Sequence, residues 1–198
     1  MDNLRPVDPL ATEWVTFALL ALFLLLALIN VSSARKWRLL ADGMFRMRLG
    51  RQALREEMDL QDRAFLGLLV VAVAVLSIFT WQAFTVNQVQ VVFPSLAMVV
   101  GGVVLAHYLL MRLVGVVLRI SAGVEEYLYT GFLLFILSGI LLLPIVVLLA
   151  YRSEWRAGLV MAGVVVVVLM EIFRWLRGAG SAWVRHAAPL HYSLLLRR

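Results

Sequence analysis

Five long apolar stretches, at 14–31, 64–84, 92–111, 127–151 and 157–173, alternate with short or strongly basic segments. As α-helix at ~1.5 Å per residue, each covers roughly 26 Å or more, close to the ~30 Å hydrocarbon thickness of a bilayer. They are too long and too evenly apolar for barrel strands, which run ~9–11 residues and alternate in polarity. A backbone in hydrocarbon has no water to bond, so its peptide groups must be satisfied within the segment, and helix follows. The pattern predicts an all-α, polytopic transmembrane bundle of about five spans, forming one membrane domain over residues 1–198.

Between spans one and two the pattern changes. Over 35–63, Trp37, Leu40, Met44, Met47, Leu54 and Met58 recur every three or four residues among Arg38, Asp42, Arg48, Arg55 and Asp59. Such spacing predicts an amphipathic helix lying in the headgroup layer. Glu56, Glu57, Asp59 and Asp62 then precede span two, where negative charge suits the positive end of a helix dipole. Span three has no helix breaker from Ser95 to Ile120, so it is expected to run ~40 Å and emerge before Ser121-Ala122-Gly123 ends it.

Charge orients these spans. The connector after span one carries Arg35, Lys36, Arg38, Arg46, Arg48, Arg51, Arg55 and Arg63, whereas 85–91 carries no charge. Placing the connector inside puts fifteen of the eighteen Lys and Arg residues on the inner side and three outside. The expected topology is therefore N-terminus outside and basic tail, 174–198, inside a bacterial inner membrane. Trp14, Trp81, Trp155 and Trp175 flank spans and none lies mid-span, as headgroup-seeking indoles should. The apolar first run follows Asp2, Asp8 and Glu13 and lacks a small-residue cleavage site, so it reads as a retained span.

Composition narrows the chemistry. With 63% hydrophobic residues, 15% charged and a net charge of +6, the basic groups lie beside spans. Their nearest partners are anionic lipid headgroups at the inner face, not nucleic acid. The absence of cysteine excludes disulfides, thiolate metal sites and cysteine nucleophiles. No phosphate loop, His-Glu metal pattern or nucleophile elbow occurs, so no catalytic residue, cofactor or metal is expected.

The polar residues with the strongest claim to function are Arg112, Arg119, Glu125, Glu126 and Tyr127, at the inner junction of spans three and four. An ion pair there could bind an anionic headgroup or gate a proton-linked step; equally, the carboxylates could begin span four while the arginines snorkel. His107 is an ionisable group within span three, open to a proton-carrying or a packing role. His186 and His191 lie in the basic tail and Glu171 stands three residues before Arg174, an ordinary helical ion-pair spacing. Gly139 and Pro144 predict a kink in span four, because Pro144 leaves the Ile140 carbonyl without its helical donor. Small residues at Ala97, Gly101, Gly102 and Ala106, and at Gly158, Ala162 and Gly163, allow close helix approach. Spans three and five are accordingly expected at the centre of the bundle.

Glu125-Glu126-Tyr127, then Phe132-Leu133-Leu134-Phe135, Gly139 and Leu142-Leu143-Pro144, resembles the central motif of the bacterial membrane proteins known as domain of unknown function 4271. The early span, basic connector and late membrane segment are similar in layout across most of the chain. The resemblance implies a multi-span protein with no assigned substrate. It also implies a further apolar helix after the basic region, so Leu194-Leu195-Leu196-Arg197-Arg198 reads as a truncated or divergent end.

With few polar residues inside spans, the leading expectation is a non-enzymatic scaffold or accessory subunit of an envelope assembly, paired with another membrane protein or with itself. A small transporter or channel using His107, Glu125, Glu126 and the Pro144 kink is one alternative. A lipid-binding or lipid-modifying enzyme using Arg112 and Arg119 is another.

Overall fold

The computed structural model describes residue 10 and residues 13–32, 63–117 and 121–195, with side chains in the last segment at residue 128 and over 131–176. Among the described residues the helices are α1 (Glu13–Ser32), α2 (Arg63–Val86), α3 (Phe93–Val117), α4 (Ser121–Tyr151) and α5 (Arg156–Leu195), with a 3-10 turn at Ser153–Trp155. All five contain a segment long and apolar enough to cross a membrane, and the fold is an all-α polytopic bundle. The interfacial helix expected between spans one and two lies outside the described residues, except that Arg63 opens α2.

The helices alternate in direction. Trp14 at the start of α1 meets Trp81 late in α2 edge-on at 4.8 Å and Phe93 at the start of α3 at 5.0 Å. The Thr16 and Tyr151 hydroxyls, 3.0 Å apart, bring the end of α4 to the same level. Arg156 Nε donates to the Leu149 carbonyl at 3.4 Å, tying the start of α5 there and placing a cation on the negative end of α4. This aromatic level is the proximal end of the bundle. The distal end holds the start of α2, where Gly67 abuts Ile29 near the end of α1.

α2 packs on all four other helices, most extensively on α4. Its buried residues Leu68, Val71, Ala72, Val75, Ile78, Phe79 and Gln82 step by three or four along the helix, which makes one broad inward face. Toward the proximal end this face meets Val15, Leu19, Leu142, Val146 and Leu149. Toward the distal end Phe65, Leu68 and Ala72 meet Ile29, Leu128, Phe132 and Ile136. Between the two clusters, a Cβ added at Gly139 would stand 2.7 Å from the Ala72 Cα, so only glycine permits this approach.

Spans three and five do not form the centre. In α3 6% of the membrane-crossing segment is buried and in α5 11%, against 50% in α2 and 56% in α4. Gly102 and Gly158 face open space and Ala106 and Ala162 are exposed; Gly101 reaches Val73 at an ordinary 3.9 Å. Small side chains make a close approach possible without supplying the partner, and α2 and α4 fill the centre with larger apolar residues. The exception is Gly163, which lies against the Phe79 ring.

Two boundaries also differ. Ser121-Ala122-Gly123 opens α4 instead of ending α3, consistent with the preference of serine for helix starts. α5 continues as helix through most of the basic tail, to Leu195. Polar side chains on α2 and α4 bond back to their own helix: Ser77 to Val73, Thr80 to Leu76 and Ser138 to Phe135, at 2.7, 2.8 and 2.7 Å. These bonds satisfy hydroxyls that lipid and packed side chains cannot.

Candidate functional site

The distal halves of α3 and α5 carry ionisable groups at one depth. At ~1.5 Å per residue, His107 lies about 21 Å along α3 from Phe93, and Glu171 about 22 Å along α5 from Arg156. Both helices start at the proximal end, so these residues are level. His107 is half-buried and lies within the electrostatic reach of Arg174 and Glu171. Glu171 and Arg174 form a partly exposed ion pair at 3.0 Å, the helical pair their spacing suggests.

One residue and one turn beyond His107, Tyr108 and Arg112 share a face of α3. Arg112 donates an Nη1 hydrogen bond to the Tyr108 hydroxyl at 2.6 Å, and its guanidinium lies 5.9 Å from the ring centroid. The Tyr108 ring packs on Phe132 of α4, centroid to centroid 6.0 Å, and Val104 and Met111 join it against the distal cluster. The apolar part of Tyr108 is thus anchored while Arg112, bonded to its hydroxyl, is exposed, the division between apolar stem and polar tip that snorkelling side chains use.

Arg119 lies outside the described residues. Glu125, Glu126 and Tyr127 occupy the opening turns of α4, and their side chains are likewise outside them. Gly139 is buried at the α2 contact, whereas Pro144 sits within α4 on its exposed side, nearer the proximal end. Among the described residues no group of three His, Asp or Glu side chains could hold a metal ion.

Sequence reading missed two features. The shared depth of His107 and the Glu171–Arg174 pair was within reach of residue counting, since both positions lie about 14 to 15 residues from the proximal starts of their helices. Gln82 was missed altogether. It is fully buried between α2 and α4; its Nε2 donates to the Val146 carbonyl at 3.3 Å and its Oε1 has no partner. A lone glutamine amid 24 residues of apolar helix was the available signal.

Five alternating membrane-length helices with a closed apolar centre define a multi-pass helical membrane protein. The chain belongs to the family described as Domain of unknown function (DUF4271), which it matches over residues 15–195. No curated protein and no solved structure matches it.

Proposed function

We propose that this protein is a non-enzymatic scaffold or accessory subunit of a bacterial envelope assembly, set in the inner membrane with its N-terminus outside and its C-terminus inside. The observation that carries this reading is the exposure of α3 and α5. Met98, Val99, Val103 and Leu105 on α3, and Met161, Val165 and Val168 on α5, project from a bundle whose packed centre is made by other helices. Two spans with so little internal contact offer wide faces to another membrane helix.

A permeation path would need polar groups through the centre. The buried polar residues among those described are Ser77, Gln82 and Ser138, and both serines are bonded to their own helices. The transport alternative also needs His107, Glu125, Glu126 and Pro144 to converge. Counted from Tyr151 at the proximal end, Pro144 lies about 10 Å down α4 and Glu125 about 39 Å, with His107 about 21 Å down α3, so helix geometry spreads them along the membrane normal.

Photocrosslinkers placed at Met98, Leu105, Met161 and Val165 in the full chain test the reading, with Val75 as a buried control. One membrane protein, or a second copy of this chain, crosslinking at the α3 or α5 positions and co-purifying in fixed ratio from mild detergent is expected. A clean monomer without crosslinks at any of the four positions overturns it.

A further inference from the structure

α5 is longer than a bilayer needs. Its membrane-crossing segment ends at Leu176, yet helix continues to Leu195, about 28 Å farther at ~1.5 Å per residue. Along its distal half Leu169, Leu176, Trp183 and Leu190 recur every seven residues, with Phe173, Gly180, Ala187 and Leu194 each four residues later. This is the a/d repeat of a coiled coil. Beyond Leu176 the repeat is selective, because Arg177, Ser181 and Arg185 fall outside it, as does Pro189. The small residues Gly180 and Ala187 stand in the register on either side of Trp183, which leaves room for an indole knob. Leu169 and Leu176 are 57% and 66% exposed. Earlier in α5 the same register reaches Leu159 and Val166, which pack on the proximal cluster. The drift of an α-helix against a seven-residue repeat, ~20° per heptad, turns the seam outward only in the distal half.

We propose that the distal half of α5 and its extension form a parallel two-stranded coiled coil with a second copy of this chain, a choice of partner that rests on the scaffold reading. Two copies inserted the same way are already parallel and level, so identical seams meet in register. Their eight seam residues, two of them aromatic at ~150–250 Å² when buried, cover roughly 800 Å² per copy, the size of a standard specific interface. Charge does not oppose the pairing. No Asp or Glu follows Glu171, and of the positions flanking the seam beyond Leu176 only Arg177 carries a permanent charge. In a parallel pair its counterpart five residues earlier on the second copy is Ile172, not another arginine. A lone helix of the length of this extension is marginal in water, and pairing supplies the packing that holds it.

The test is disulfide crosslinking of single cysteines placed in the full chain, which has none of its own, in isolated membranes with an added oxidant. L176C, W183C and L190C are expected to give about tenfold more covalent dimer than S181C and R185C, the contrast between a pair within disulfide reach and a pair facing apart. Adding Leu190→Glu to L176C lowers its dimer yield several-fold, whereas Leu190→Met retains it. Monodisperse elution of each variant shows that it is folded. Equal yields at all five positions, or dimer at none, overturn the proposal. Crosslinking of the seam positions to a different protein also overturns it and leaves the scaffold reading standing, which fails only if the photocrosslinkers on α3 and α5 capture nothing.

Discussion

Gly139 of α4 faces the backbone of Ala72 on α2 so closely that an added methyl would come within 2.7 Å of the Ala72 Cα and 2.8 Å of its Cβ. Neither atom belongs to a flexible side chain, so the helices themselves must separate. The contact lies between the two apolar clusters, and displacement there loosens both.

Gly139→Ala is therefore expected to destabilise the bundle by about 1–3 kcal/mol, the usual range for overpacking. Gly102→Ala and Gly158→Ala, at positions facing open space, leave it within about 0.5 kcal/mol. Reversible unfolding in mixed micelles measures all three, and equal losses would show that Gly139 is not a special contact.

Gln82 places an amide in the apolar seam, with one bonded nitrogen and an unpartnered oxygen. Gln82→Leu removes the bond and the orphan acceptor together, so stability is expected to remain within about 1 kcal/mol of the parent. Gln82→Glu, by contrast, buries an ionisable group without a countercharge. The buried seam cannot hydrate a carboxylate, so this variant is expected to lose about 2 kcal/mol or more of stability. Parent-like stability of that variant would mean that the site admits water.

α2 ends with Gln88 in the left-handed region, φ 61°. Val89 N–H bonds to the Phe84 carbonyl at 2.9 Å and Gln88 N–H to the Thr85 carbonyl at 3.1 Å, a helix-ending pattern that glycine fits best. Gln88→Gly is expected to raise stability by about 0.5–1 kcal/mol through relief of the Cβ penalty. A loss of stability would show that the glutamine side chain contributes more than its backbone strain costs.

Because the chain has no cysteine, single introduced cysteines report topology without background. Q88C in the α2–α3 turn and S153C in the α4–α5 turn are expected to react with an impermeant maleimide in intact cells. S181C in the α5 extension reacts after permeabilisation. The reverse pattern would invert the proposed orientation.

The existence, number and helical nature of the spans were determined by the sequence alone, because peptide groups in hydrocarbon leave one local solution and apolar length is a local property. The family followed from a local motif around Glu125, Glu126 and Gly139. Only the tertiary structure decided which spans are central. The small-residue patterns of α3 and α5 suggested those helices, yet Gly102 and Gly158 face open space while Gly139 closes on Ala72. A small side chain permits contact from any neighbour, and the neighbour is chosen by how whole helix faces fit. For the same reason the shared depth of His107 with Glu171 and Arg174 belongs to the fold: residues more than sixty positions apart stand level once two helices start from a common end of the bundle.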